Sequence, residues 1–154
     1  MDTLDGPILL VGCGKMGDAL LRGWLDRGVA PSDVTVIEPS EQTAGAARDR
    51  GVTTLAALDM LPNNFSPRVV VFAVKPQVMP DVVPPYRPLV GPNTVFLSIA
   101  AGKSLAFFES HLGVDAAVIR AMPNTPAAIG RGMTVLSANG AASPSDRELA
   151  ENLM

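Results

Sequence analysis

Three glycines near the amino terminus have the spacing of a phosphate-binding turn. Gly12, Gly14 and Gly17 form G-x-G-x-x-G directly after the apolar run 8–11 and directly before segment 15–27, where apolar residues recur at helical spacing. In such a turn the first glycine permits the tight bend, the second lets backbone approach a pyrophosphate, and the third allows close packing of helix on strand. Free N–H groups at the helix start attract the anion. The motif therefore predicts dinucleotide binding, with a tight turn that holds no ligand as the alternative.

The segments around this motif alternate between strand and helix patterns. Short apolar runs indicate buried strands, and segments with helical spacing lie between them and end at glycine or proline. The predicted strands are 8–11, 35–37, a short one from Val52, 69–74, 94–99, 116–121 and an outer one at 134–137; the predicted helices are 15–27, 40–50, 104–111 and the start of a terminal helix at about 145–154. This alternation predicts one α/β domain over 1–154, a doubly wound, mostly parallel, Rossmann-like sheet.

Four predicted strands are followed by loops of small or rigid residues. Parallel sheets bind ligands beyond the carboxyl ends of their strands, where such loops let a cofactor lie against backbone. The four loops are 12–17 (GCGKMG), 73–77 (AVKPQ), 100–102 (AAG) and 121–126 (AMPNTP). Each loop alone is consistent with ordinary turn chemistry. Four at one edge favour a cleft.

Glu38 and Ser40 follow the second predicted strand, where the adenosine end of a dinucleotide would lie. An acidic residue at this point commonly bonds the ribose hydroxyls of NAD, and no Lys or Arg occurs between Glu38 and Arg48. Ser40, at a predicted helix start with free N–H groups, offers an alternative place for the 2′-phosphate of NADPH. We therefore expect both NADH and NADPH to bind.

Composition excludes several other classes of function. The chain has 154 residues, a formal net charge of −3 and scattered Lys and Arg residues, so we expect no nucleic-acid binding. One cysteine and one histidine rule out a disulfide framework and argue against a metal site. The first residues lack a basic signal-peptide region, and no apolar run is long enough to cross a bilayer. A cytoplasmic protein without membrane attachment is expected.

Three reactive side chains require separate interpretation. His111 is predicted to lie near a short helix, on the surface or as a cap, away from the strand ends. Cys13 lies inside the glycine turn, where a helix start can lower a thiol pKa, although a small apolar spacer is the favoured interpretation. Lys75 precedes Pro76, which restricts its backbone, so a cleft contact is favoured over a solvated position.

The same loops carry a family resemblance. Residues 12–17 (GCGKMG), 72–77 (FAVKPQ), 98–102 (SIAAG) and 120–127 (RAMPNTPA) occur in the order found in the amino-terminal half of pyrroline-5-carboxylate reductase, which this chain resembles over essentially its whole length. The resemblance implies reduction of a cyclic imino acid to proline by NADPH or NADH, often NADPH. It implies that the glycine loop holds pyrophosphate, that the 72–77 and 98–102 loops line the cofactor cleft, and that Met122, Pro123 and Asn124 lie toward the nicotinamide. The cofactor contacts that it implies are Gly14, Lys15, Met16, Ala73, Val74, Lys75, Ala100, Ala101, Met122, Pro123 and Asn124, and the loops themselves add Gly12, Gly17 and Pro76 to the predicted site.

The resemblance also implies a part that this chain lacks. Members of that family continue into an all-helical carboxyl-terminal domain that forms a homo-oligomer and supplies much of the substrate site. We therefore expect these 154 residues to bind cofactor without reducing substrate, and the terminal helix to leave Leu149, Leu153 and Met154 exposed or weakly associating. The catalytic proton donor is not predicted. A non-catalytic dinucleotide-binding module, favoured if the gene ends at Met154, and a related reductase such as a β-hydroxyacid dehydrogenase are the alternatives.

Overall fold

A computed structural model describes residues 4–123 and 134–154. Its helices and strands alternate along the chain as the sequence predicts. In chain order they are β1 (Ile8–Val11), α1 (Lys15–Asp26), β2 (Val34–Ile37), α2 (Glu41–Arg48), β3 (Thr53–Leu55), β4 (Val69–Phe72), α3 (Met79–Val82), β5 (Val95–Ser98), α4 (Leu105–Leu112), β6 (Ala117–Pro123), β7 (Thr134–Ala138) and α5 (Pro144–Leu153). Short 3-10 turns cover Pro31–Asp33, Leu58–Met60, Pro76–Val78 and Pro84–Leu89.

The strands form one sheet in the order β3-β2-β1-β4-β5-β6-β7. Neighbouring strands are parallel except β7, which pairs antiparallel with β6. The chain first builds outward from β1 to β3 and then returns to place β4 on the other side of β1. The switch point therefore lies between β1 and β4, where sheets of this kind open a crevice at their carboxyl edge. The predicted doubly wound, mostly parallel sheet is confirmed.

Apolar side chains cover both faces of the sheet. One core packs Leu20, Leu21 and Trp24 of α1 and the apolar side of α5 against β1, β4 and β5. The other core packs α3 and α4 with Phe72 and Phe96. The four residues of β1 and of β4 are all buried, because helices cover these central strands on both sides.

The terminal helix corrects one prediction. Leu149, Leu153 and Met154 are at most 5% exposed rather than left without a partner. Helix α5 packs on β6 and β7, and the indole Nε1 of Trp24 donates a buried hydrogen bond of 2.8 Å to the carbonyl of Leu153. Arg27 donates to the same carbonyl at 3.2 Å. The sheet and α1 of this chain therefore supply the surface that the sequence interpretation assigned to an absent domain.

Candidate dinucleotide-binding site

The three glycines of the turn have three different surroundings. Gly12 has φ +88°, and a Cβ there would lie 2.7 Å from Cγ1 of Val74. A Cβ at Gly17 would overlap the carbonyl oxygen of Gly12, so α1 can approach the turn only because position 17 has no side chain. A Cβ at Gly14 meets nothing within 4 Å. Two glycines therefore permit the local packing, and the third faces open space.

The open space at Gly14 lies at the start of α1. Gly14 is the N-cap residue of α1, and no side chain caps the helix there. In contrast, Ser40, Ser104 and Ser143 cap α2, α4 and α5, each accepting a hydrogen bond from a backbone N–H in the first turn. Uncapped N–H groups at a helix start carry partial positive charge and favour an anion. The turn thus has both the room and the donors that a pyrophosphate requires.

A cleft of about 380 Å³, here called the α1 cleft, opens beside this helix start. It collects the loops that follow β1, β4 and β5. Its lining comprises Gly14, Lys15, Met16, Ala73, Val74, Lys75, Pro76, Ile99, Ala100 and Ala101. All of these except Ile99 are predicted site residues, so the parallel sheet brings together segments up to 87 positions apart (14 to 101). The surface is largely alkyl, with the cations Lys15 and Lys75 as charged groups.

A second cleft, the α3 cleft, lies on the other side of the same turn and measures about 410 Å³. Val74 lines both clefts, and the glycine turn contributes Gly12 to one and Gly14 to the other. The lining comprises Val11, Gly12, Ile37, Glu38, Pro39, Ala56, Leu58, Val74, Val78, Asp81, Val82, Pro85 and Tyr86. Two adjoining clefts that meet at a phosphate-binding turn match the two ends of a dinucleotide, so the residues present fit such a cofactor.

Several residues of the α3 cleft come from the proline-rich segment after β4. Tyr86 is 3% exposed, and its ring packs edge-on against Phe72 with centroids 5.3 Å apart. Burial raises the pKa of its phenol well above the ordinary value, so the hydroxyl stays protonated. Asp81 and Val82 come from α3 in the same segment. The sequence interpretation missed these residues because a proline-interrupted segment has no helical or strand periodicity. The prediction reached only Val74 to Pro76, where the segment begins.

Glu38 points back toward the glycine turn. Its Oε1 accepts a hydrogen bond of 2.9 Å from the backbone N–H of Cys13, and its Oε2 accepts one of 3.0 Å from the N–H of Ser40. The hydroxyl of Ser40 accepts from the N–H of Thr43 at 3.4 Å. Glu38 lines the α3 cleft, and its side chain links the β1 turn to the start of α2. That Glu38 lies beside adenosine stays a prediction.

Cys13 and His111 have no place among the residues that line these clefts. Cys13 is 2% exposed, and burial, followed by the charges of Asp18 and Glu38, raises the pKa of its thiol to about 11. A buried thiol with a raised pKa is the opposite of what the reactive-thiol alternative requires, and the burial fits the apolar-spacer interpretation. His111 lies in the last turn of α4, with its ring 4.6 Å from the ring of Phe107.

The last predicted loop is only partly described. Met122 is half-buried in β6, where its sulfur lies 3.5 Å from Nη2 of Arg120. The backbone of Pro123 ends β6 and pairs with Thr134. Asn124 lies outside the described residues. Met122, Pro123 and Asn124 therefore stay predictions.

The described residues also have a bearing on metal binding and membrane insertion. Within 4–123 and 134–154, no group of three or more His, Cys, Asp and Glu side chains is placed to hold a metal ion. Among the helices of the same residues, none has the length and apolar character needed to traverse a membrane.

The chain is similar to known oxidoreductases over most of its length. The family described as NADP oxidoreductase coenzyme F420-dependent matches residues 7–102. Pyrroline-5-carboxylate reductase of Pisum sativum is 38% identical over 93% of this chain and 52% of its own length. The enzyme of that name from Escherichia coli is 33% identical over 93% of this chain and 53% of its own. The chain thus spans about half the length of the curated relatives it matches.

Solved structures of proteins with this enzyme name also resemble the chain. A pyrroline-5-carboxylate reductase from Coxiella burnetii superposes with a TM-score of 0.86 and 28% identity, over 96% of this chain and 55% of that one. The Plasmodium falciparum pyrroline carboxylate reductase, solved with NADP bound, has a TM-score of 0.78 and 21% identity over 97% and 54%. The chain therefore belongs to the NADP oxidoreductase family that matches residues 7–102, and the resemblance to pyrroline-5-carboxylate reductases that its motifs predict is confirmed.

Proposed function

We propose that this chain is the cofactor-binding part of a pyrroline-5-carboxylate reductase, which reduces a cyclic imino acid to L-proline with NADH or NADPH. One observation carries the proposal: the uncapped start of α1 lies between two adjoining clefts at the switch point of the sheet. The curated relatives bearing that enzyme name supply the reaction class. The compartment we propose is the cytoplasm.

The glycine turn would bind the pyrophosphate. N–H groups of the first turn of α1 would donate to its oxygens, while Gly12 and Gly17 keep the helix close to the strand. Lys15, exposed at the cleft, would add positive charge near the phosphates. The α3 cleft, lined by Glu38, whose carboxylate accepts from Ser40 N–H, would hold the adenosine. Its largely alkyl wall suits a flat purine ring.

The α1 cleft would then receive the nicotinamide. Ala73, Ala100 and Ala101 are small, so a flat ring can lie close to the backbone at the ends of β4 and β5. The bound cofactor would supply the hydride for the carbon of the substrate C=N bond, whose nitrogen takes up a proton. The chain contributes orientation through these fixed loops, and orientation is a large part of catalysis in reactions of this kind.

The other half of the relatives' length would complete the substrate site and the homo-oligomer. In the described residues, the clefts hold the lysines Lys15 and Lys75 but no arginine that could grip the substrate carboxylate in a bidentate manner. Met122, Pro123 and Asn124 would cover one side of the substrate. We therefore propose that the 154 residues bind cofactor and leave the imino acid unreduced.

Two measurements test this. Calorimetric titration of the chain with NADH and NADPH is expected to give saturable binding, and its absence in a folded sample contradicts the cofactor assignment. NADH and NADPH oxidation with pyrroline-5-carboxylate is then compared between this chain and a version extended to the length of the curated relatives. Turnover is expected only in the longer protein. Equal turnover by both refutes the idea that the second half completes the site, and makes Asn124 the first residue to change.

A further inference from the structure

A carboxylate of the chain itself, that of Glu38, already occupies the end of the candidate site where adenosine would bind. One oxygen accepts from Cys13 N–H in the glycine turn, and the other accepts from Ser40 N–H just before α2. A carboxylate held by two backbone donors from two different loops has a fixed position. Each of its oxygens keeps a further lone pair directed elsewhere.

Two N–H groups around the start of α2 are occupied within the chain. Ser40 N–H donates to Glu38, and Thr43 N–H donates to the Ser40 hydroxyl. A 2′-phosphate at this helix start would have to compete for these two donors and would lie beside the Glu38 carboxylate. The alternative that Ser40 receives the phosphate would require displacement of the Glu38 carboxylate.

The described lining of the α3 cleft holds no cation that would offset the charge of Glu38. It contains no lysine or arginine, and Asp81 adds a second carboxylate. Arg48, the basic residue of α2, is paired with Glu41 at 2.8 Å. Arg50 is paired with Asp18. Charge and hydrogen bonding in this part of the described chain therefore both oppose a dianionic group.

We propose that Glu38 makes the α3 cleft selective for NADH over NADPH. This rests on the proposed dinucleotide binding and opposes the NADP named by the family description. The free lone pairs of the carboxylate accept hydrogen bonds from the ribose hydroxyls of NADH. The 2′-phosphate of NADPH brings two negative charges to the same place, where repulsion in a partly buried site exceeds that in water.

The decisive measurement is the ratio of dissociation constants for NADH and NADPH, obtained by calorimetry on the chain itself. NADH is expected to bind about tenfold tighter or more. Adenosine 5′-monophosphate and adenosine 2′,5′-bisphosphate, which lack the nicotinamide, are expected to show the same order. Because repulsion between charges is screened by salt, the difference should narrow as ionic strength rises. Equal binding of the two dinucleotides, or tighter NADPH binding, overturns the proposal without any variant.

Glu38→Gln tests the residue directly. The amide oxygen still accepts one hydrogen bond from the backbone, while the charge is removed. We expect this variant to bind NADPH more tightly than the parent does, so that its dissociation constants for NADH and NADPH become nearly equal. Asp59→Asn is the matched control: it removes the same charge from an exposed residue adjacent to Leu58 in sequence but outside the cleft lining. An equal change of ratio in both variants shows an effect of net charge alone and overturns the assignment to Glu38.

Failure of this inference differs from failure of the proposed function. If neither dinucleotide binds to the folded chain, the cofactor assignment fails and this inference fails with it. If NADPH is preferred, selectivity by Glu38 is wrong while dinucleotide binding stands. Selective NADH binding together with no reduction of pyrroline-5-carboxylate by the extended protein supports this inference and contradicts the substrate assignment.

Discussion

Helices α1 and α2 both begin at the carboxyl edge of the sheet, yet their amino-terminal ends are used differently. Helix α1 begins after Gly14 without a side-chain cap, and the space above Gly14 is open. Helix α2 begins after Ser40, whose hydroxyl caps the first turn and whose own N–H is bound by Glu38. The same dipole and the same free donors exist at any helix start. At α1 the donors face a cleft, and at α2 the Glu38 carboxylate and the Ser40 hydroxyl already occupy two of them.

This difference distinguishes an anion site from a structural turn more sharply than the glycine motif alone does. A serine or carboxylate that caps a helix stabilises the fold and occupies a donor that a ligand could otherwise use. A glycine at the N-cap keeps the backbone geometry and leaves the donors free. The comparison therefore predicts that changes at α1 act mainly on ligand binding and changes at α2 act mainly on stability or on the choice of cofactor.

The largest expected effect comes from Gly14→Val. The added methyl groups enter the open space above α1, so dinucleotide binding should weaken about a hundredfold or more, roughly 2.7 kcal/mol. The fold should persist because Gly14 has φ −69°, an angle that valine adopts, and its Cβ meets no protein atom. Calorimetric titration measures the loss, and circular dichroism checks the fold.

Gly23→Ala is the matched control for this change. Gly23 lies in α1 with no atom within 4 Å of an added Cβ, and it is not among the residues that line either cleft. Alanine there should stabilise the helix by about 0.5–1 kcal/mol without changing affinity. If folded Gly14→Val protein binds dinucleotide as tightly as the parent, the pyrophosphate does not lie at Gly14. The start of α1 would then not be an anion site that differs from the start of α2.

The second effect is on stability, from Gly17→Ala. A Cβ at this position overlaps the carbonyl oxygen of Gly12, which is backbone and cannot rotate away. Helix α1 must therefore shift from the turn, which we expect to lower the free energy of unfolding by about 1–3 kcal/mol. For a protein of this size the melting temperature falls by roughly 2–4 °C for each kcal/mol. An unchanged melting temperature would show that the helix does not depend on this close approach.

Local sequence patterns were enough to predict most of the fold and most residues of the α1 cleft. Apolar runs marked the buried strands, and the glycine turn and the 73–77 and 100–102 loops marked the strand ends that the parallel sheet gathers into one cleft. The α3 cleft could not be predicted in the same way. Tyr86 enters it from an irregular segment, and its position depends on packing against Phe72 rather than on neighbours in sequence.

Long-range contacts explain the remaining differences. The burial of α5 depends on the hydrogen bond between Trp24 and the carbonyl of Leu153, 129 residues apart. The sequence shows that Leu153 is apolar but not which surface it covers. Similarly, an acidic residue after β2 predicted proximity to the ribose, while the orientation of Glu38 depends on Cys13 N–H, 25 residues earlier. Residue type therefore predicted the part of the fold in which a side chain lies, whereas tertiary contacts determine which way the side chain points.

A third effect appears at alkaline pH through Cys13, whose backbone N–H binds Glu38. Burial raises the pKa of its thiol from 9.0 to about 11. Between these values the unfolded chain releases the proton and the folded chain keeps it, so stability falls as pH rises from 9 to 11. Tyr86 ionises in the unfolded chain over an overlapping range, so the Cys13→Ala variant is needed to isolate the thiol. Urea unfolding at pH 8 and 10.5 should show a smaller loss in Cys13→Ala than in the parent; equal losses would mean that the thiol does not contribute.

The smallest effect, from Ser40→Ala, tests the α2 side of the comparison. Loss of the hydroxyl leaves Thr43 N–H without its cap, which should lower the free energy of unfolding by about 1 kcal/mol. Ser104→Ala is the matched control, because Ser104 caps α4 through Phe107 N–H in the same way and lies outside the lining of both clefts. If α2 serves only the fold, both variants lose similar stability and both keep the parent's affinities for NADH and NADPH. If the Ser40 hydroxyl instead binds a 2′-phosphate, Ser40→Ala alone weakens NADPH while NADH is unaffected, and the start of α2 would then be an anion site like that of α1.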